Sequence, residues 1–184
     1  MSSRTLVLGG ARSGKSAHAE GLLTEPVVTY VATARRYPDD PDWDARIAQH
    51  VARRPSTWHT VEAPGPADLP ALLTATAYDD PPILVDDLST WLVGVLDDAG
   101  AWEGNVSDVV TGAVDKLVWS VATCRARLVL VTAEVGLGVV PSTRSGRLFR
   151  DHLGALNARV AEVCDEVTLL VAGIPLRLRE RRHG

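Results

Sequence analysis

Eight residues near the amino terminus, Gly9-Gly10-Ala11-Arg12-Ser13-Gly14-Lys15-Ser16, constrain the fold more than any other part of the chain. The spacing is Gly, any four, Gly, Lys, Ser, which is the phosphate-binding P-loop. Glycines let the backbone curl so that successive N–H groups point inward at phosphate oxygens. Lys15 supplies charge for the outer phosphates, and the Ser16 hydroxyl is a ligand for Mg2+. The motif works only between a strand and a helix. Thr5-Leu6-Val7-Leu8 before it is apolar and β-prone, and Ser16–Leu23 after it reads as helix.

The rest of the chain repeats that alternation. Thr5–Leu8, Val27–Ala32, Ile83–Val85, Leu128–Thr132 and Val167–Val171 are short apolar runs separated by segments of helical spacing. Near-continuous hydrophobic strands alternating with helices predict a parallel sheet covered on both faces. The fold class expected is α/β, a three-layer α/β/α P-loop NTPase of RecA-like type. With 184 residues and no composition break, a single nucleotide-binding domain over residues 1–184 is the expectation.

Composition narrows the function classes. A net charge of −4 argues against a general nucleic-acid binder. No apolar run approaches a membrane span, and with the first strand starting within four residues of the beginning, no signal peptide is expected. Cys124 and Cys164 have neither metal nor disulfide spacing, so reduced buried thiols in a cytoplasmic protein are expected. The basic end, Arg177–Arg182, reads as a solvated tail, and Trp91, Trp102 and Trp119 as core or loop anchors.

In open α/β sheets, ligands bind beyond the carboxyl ends of the strands. Thr33-Ala34-Arg35, Asp86-Asp87, Glu134-Val135-Gly136 and Gly173-Ile174-Pro175 fall at those ends, beside the P-loop. Ile83-Leu84-Val85-Asp86 has Walker B form, which makes Asp86 a candidate Mg2+ carboxylate. Asp86 or Asp87 could equally cap the helix that follows. Between Asp42 and Pro55, Trp43, Ile47 and Val51 mark a helical stripe, with Arg46, His50, Arg53 and Arg54 on the neighbouring face. Nearby cations favour a neutral, nucleophilic imidazole, while a solvated basic face is the plainer reading.

These residues together resemble a family. The P-loop string is joined by Tyr30-Val31-Ala32-Thr33-Ala34, and by Arg46-Ile47-x-x-His50-x-x-x-Arg54-Pro55-x-x-Trp58-x-Thr60-x-Glu62. Asp86 with Trp91, Glu134-Val135-Gly136-Leu137-Gly138-Val139-Val140-Pro141, Gly146–Asp151 and Gly173–Leu176 follow in order. The chain is similar to the bifunctional adenosylcobinamide kinase/adenosylcobinamide-phosphate guanylyltransferases of cobalamin biosynthesis. The resemblance implies phosphorylation of adenosylcobinamide by ATP or GTP, then transfer of GMP from GTP through a histidine, which maps to His50. With Lys15 it forms the implied catalytic pair. It implies nucleotide contacts from Gly9, Gly10, Ala11, Arg12, Ser13, Gly14, Lys15 and Ser16, from Thr33, Ala34 and Arg35, from Val51, Ala52, Arg53 and Arg54, and from Glu62 and Asp86. Mg2+ would sit on Ser16 and Asp86, and the assembly would be a homo-trimer. Two departures stand out: Ala133 and Gly94 occupy places where the family often has Asn. A plain small-molecule kinase and a non-catalytic GTP-binding module are the competing readings.

Overall fold

The computed structural model describes residues 3–35, 48, 54–104 and 107–180. Its centre is a seven-stranded sheet. The strands are β1 (Arg4–Gly9), β2 (Thr29–Ala32), β3 (His59–Glu62), β4 (Ile83–Asp86), β5 (Leu128–Ala133), β6 (Glu166–Val171) and β7 (Ile174–Arg179), in the order β3-β2-β4-β5-β1-β6-β7. The first six are mutually parallel, and β7 returns antiparallel to β6. Five described helices connect them: α1 (Lys15–Gly21), α2 (Asp68–Thr74), α3 (Leu88–Asp98), α4 (Ser107–Thr123) and α5 (Arg144–Val163).

The central strands β1, β2, β4 and β5 are largely apolar because both faces are covered. Leu6, Leu8, Val31, Ile83, Val85, Leu128 and Leu130 point into a core shared with α2 to α5. Val7, Tyr30, Leu84, Val129 and Val131 point the other way, into a smaller core with Ala19 of α1 and Leu23. Alternate residues of one strand thus serve opposite layers. Burying a leucine fully contributes roughly 1.5–3 kcal/mol, and Leu6, Leu69, Leu92, Leu117 and Leu128 are among those with no exposure.

Two places in the chain differ from the sequence reading. Residues 174–179 form a strand, so the basic end is no solvated tail along that stretch. Ile174, Leu176 and Leu178 alternate with Pro175, Arg177 and Arg179, a period-two pattern that the charge obscured. Arg179 Nη1 donates to the carbonyls of Ala161 and Cys164, closing the end of α5. Trp119 is no core anchor: it is 59% exposed, whereas Trp91 is 2% exposed and donates from Nε1 to the Pro66 carbonyl at 3.1 Å.

Candidate active site

The carboxyl ends of the strands line up. Ala32 is in register with Glu62 on one side and Asp86 on the other, and Gly9 is in register with Ala133. The P-loop therefore opens at the same edge as β4 and β5. Its curl depends on two left-handed residues, Arg12 at φ 56° and Gly14 at φ 87°. Gly14 also caps α1, so the first turn of that helix faces the loop. Gly9 cannot carry a side chain: a Cβ there would meet Ser13 Oγ at 2.2 Å and Leu170 Cβ at 3.3 Å. The Ser13 hydroxyl is buried with no hydrogen-bond partner among the described residues.

Lys15 Nζ lies back over the loop and donates to the Gly10 carbonyl at 3.5 Å. Ser16 Oγ donates to Asp86 Oδ1 at 3.4 Å. The other carboxylate oxygen of Asp86 accepts from Tyr30 Oη at 2.8 Å. The two neighbouring aspartates have separate duties. Asp87 caps α3, its Oδ1 accepting from the Thr90 N–H at 2.8 Å. Thr33 Oγ1, on a residue only 1% exposed, accepts from the Asp87 N–H at 3.1 Å and lies 2.6 Å from the Asp87 carbonyl, bracing that cis-linked pair. Burial and the adjacent Asp86 charge push the Asp87 carboxyl above its usual range, opposed by the Thr90 N–H and by Lys15. Burial and the same Asp86 charge raise the Tyr30 phenol, so it stays protonated and donates.

The remaining sequence candidates divide. Arg54 lies over the Tyr30 ring, Cζ 3.3 Å from its centroid, and its Nη1 donates to Thr60 Oγ1 at 3.0 Å. Arg35 is held by other partners: Nη1 and Nη2 grip both oxygens of Asp98 at 2.6 and 2.7 Å, and Nε donates to the Pro64 carbonyl. Ala34 is half-buried, and Glu62 is exposed at the end of β3. His50, Val51, Ala52 and Arg53 lie outside the described residues, as does most of the helix read over 42–55.

Sequence reasoning missed Tyr30, Asn157 and Arg150 as supports of the site. Asn157 on α5 accepts from Thr132 Oγ1 at 2.8 Å and donates to the Ala133 carbonyl at 2.9 Å. Glu134 N–H donates to the Gly9 carbonyl, and Glu134 Oε1 accepts from the Gly136 N–H at 2.7 Å. Arg150 then holds the Gly136 carbonyl at 2.9 Å. The Tyr30-Val31-Ala32-Thr33-Ala34 string contained Tyr30 and the Gly146–Asp151 string contained Arg150, while nothing in the sequence marked Asn157.

A family profile described as cobinamide kinase / cobinamide phosphate guanyltransferase matches residues 5–178. The chain belongs to that family. Three curated relatives agree over almost their whole lengths. The bifunctional adenosylcobalamin biosynthesis protein CobU of Salmonella typhimurium is 38% identical, covering 95% of this chain and 98% of that protein. CobP of Pseudomonas aeruginosa, of the same description, is 40% identical over 96% and 97%. CobU of Escherichia coli is 36% identical over 95% and 98%. Among solved structures, an ATPase from the type III secretion system of pathogenic bacteria superposes with TM-score 0.58 at 9% identity, over 92% of this chain and 51% of that one. The P4 protein of bacteriophage phi6 in complex with ADP gives TM-score 0.50 at 14% identity, over 100% and 56%. This chain spans about half the length of those two proteins, and the likeness establishes a RecA-like α/β P-loop fold.

The family frame gives the geometry meaning. Strand β5 separates the P-loop strand from the Asp86 strand, yet the two meet at Ser16 and Asp86. A hydroxyl and a carboxylate oxygen side by side are hard oxygen donors, the set that Mg2+ takes when phosphates complete its shell.

Proposed function

We propose that this chain phosphorylates the hydroxyl of adenosylcobinamide with ATP or GTP and then converts the product to adenosylcobinamide-GDP. The observation that carries the reading is the Ser16–Asp86 contact at 3.4 Å beside the P-loop, in a chain matched to the kinase/guanyltransferase family over residues 5–178. We take residues 1–184 as one nucleotide-binding domain.

In the first reaction the backbone N–H groups of Gly9–Ser16 hold the phosphates and Lys15 moves from Gly10 onto their outer oxygens. The cobinamide hydroxyl oxygen bonds to the γ-phosphorus, the bond to the diphosphate breaks, and the hydroxyl proton is lost to a base in the crevice. Mg2+ held by Ser16 and Asp86 would neutralise charge on the phosphates. In the second reaction a His50 nitrogen bonds to the α-phosphorus of GTP and pyrophosphate leaves. A phosphate oxygen of adenosylcobinamide phosphate then displaces the histidine. The His50 assignment is supported by its place in the family motif, between Arg46 and Arg54.

We place the reaction in the cytoplasm, where Cys124 and Cys164, both buried and neither in a disulfide, remain thiols. Assembly into a trimer is part of the same reading. It is supported by Ile174, Leu176 and Leu178 on the outermost strand, all more than half exposed and alternating along β7.

The test is incubation of the protein with GTP, Mg2+ and adenosylcobinamide, with mass analysis of products and protein. Cobinamide phosphate, adenosylcobinamide-GDP and a protein adduct of one GMP are expected. Phosphorylated product without the adduct or the GDP compound would reduce the activity to a plain kinase.

A further inference from the structure

A buried phenol stands behind the metal-side carboxylate. Tyr30 is 2% exposed, in the middle of β2, and its side chain packs with Val7, Leu84, Val129 and Val131 on the α1 side of the sheet. Its hydroxyl reaches one β-strand across to Asp86 Oδ2 at 2.8 Å, while Ser16 holds Oδ1. Arg54 roofs the ring at 3.3 Å and is itself tied to Thr60 on β3. A carboxylate in a crevice has free rotation about its last bond unless something fixes one oxygen. Here that something is a rigid ring clamped between a core and a guanidinium.

We propose that Tyr30 is a positioning residue: by donating to Asp86 Oδ2 it fixes the carboxylate so that Oδ1 stays turned to Ser16 and to the cation bound with nucleotide. This rests on the reading of Asp86 as the Mg2+ carboxylate. A partner that orients a ligating carboxylate is worth as much as many ligands, because a misturned carboxylate must be reset each time the cation binds. The arrangement also places Arg54, four residues beyond His50 in sequence, in mechanical contact with the carboxylate through one ring.

The experiment measures the affinity of a fluorescent GDP analogue with Mg2+ and with EDTA, for the unsubstituted chain, Tyr30→Phe and Asp86→Asn. Phe keeps the ring, its packing and the roof of Arg54, and removes only the hydroxyl. Mg2+ is expected to tighten binding to the unsubstituted chain, and Tyr30→Phe to lose about tenfold of that tightening. The EDTA affinity should change less than about twofold, since the P-loop contacts are untouched. A loss of equal size in both conditions would mark a merely structural role and overturn the proposal, as would an unchanged Mg2+ effect. If Asp86→Asn keeps the Mg2+ effect, the underlying metal reading fails; if Asp86→Asn loses it and Tyr30→Phe keeps it, only the role of Tyr30 fails. Near-ultraviolet difference absorbance covers the case of a poorly folded Phe variant. Mg2+ with GDP should shift the tyrosine band of the unsubstituted chain and leave it unmoved in Asp86→Asn; no shift in the unsubstituted chain would overturn the proposal.

Discussion

Arg35 occupies the space above Gly94. A Cβ on Gly94 would stand 3.1 Å from Arg35 Nε and 3.3 Å from Cζ, so the guanidinium rests on bare helix backbone while it grips Asp98 one turn later. The Asn that the family resemblance leads one to expect near this position would press its Cβ against that guanidinium, which must then give way by a few tenths of an ångström. Replacing Gly94 with Asn should displace Arg35 and lower stability by about 1–3 kcal/mol, read from urea unfolding. The cost should shrink in an Asp98→Asn background, where Arg35 is already released; equal costs in both backgrounds would separate Gly94 from Arg35.

The same pair sets a pH dependence. The bonds from Arg35 hold the Asp98 carboxyl below its ordinary value of 3.8, outweighing the small effect of burial. A carboxyl depressed on folding contributes stability above its unfolded pKa and loses it as the pH falls through the folded one. The unsubstituted chain should therefore be more stable than Asp98→Asn at pH 7, with the gap closing as pH drops below 3.8. Thermal unfolding of both proteins across that range checks the sign, and a gap that widens in acid would contradict it.

Burial raises the Cys164 thiol to about 12, with the Arg4 cation opposing. At pH 8 only about one molecule in ten thousand would carry the thiolate. Iodoacetamide should leave Cys164 unmodified in the folded protein and label it after denaturation, as peptide mass mapping would show.

Asn157 joins Thr132 to the Ala133 carbonyl at the end of β5, and it is 4% exposed. Asn157→Leu keeps the volume and strands both partners in an apolar setting. It should cost about 2 kcal/mol or more, measurable by chemical unfolding. Nucleotide affinity should fall with it, because the Glu134 N–H bond to the Gly9 carbonyl starts at that strand end.

His50→Ala should abolish the GMP adduct and leave most phosphorylation of adenosylcobinamide intact, since phosphoryl transfer at a P-loop needs no histidine nucleophile. Transfer of label from α-phosphate-labelled GTP to the variant protein would refute the assignment.

Much of this architecture was legible from local pattern. The P-loop is contiguous and its residues act through backbone, so the eight letters suffice. The strand ends were legible because fully buried parallel strands are unbroken apolar runs. The Walker B form pointed to Asp86 as the metal-side carboxylate but left open which aspartate caps α3; the structure gives the cap to Asp87 and the contact with Ser16 to Asp86. The supporting roles of Tyr30 and Asn157 were not legible because each looks like ordinary filler in its own segment. Their partners stand 56 and 25 positions away and are chosen by the sheet order. Strand β7 was masked by its arginines, whose charge suggested solvent while their alternation with Ile174, Leu176 and Leu178 marked an edge.

Because β5 lies between β1, which leads into the P-loop and Ser16, and β4, which carries Asp86, a nucleotide bridging Ser16 and Asp86 reaches across three strands at once. Its grip is then a tie-bar across the middle of the sheet. Occupancy should slow amide exchange in β1, β4 and β5 together, and any slippage of β5 would release ligand before the protein as a whole comes apart.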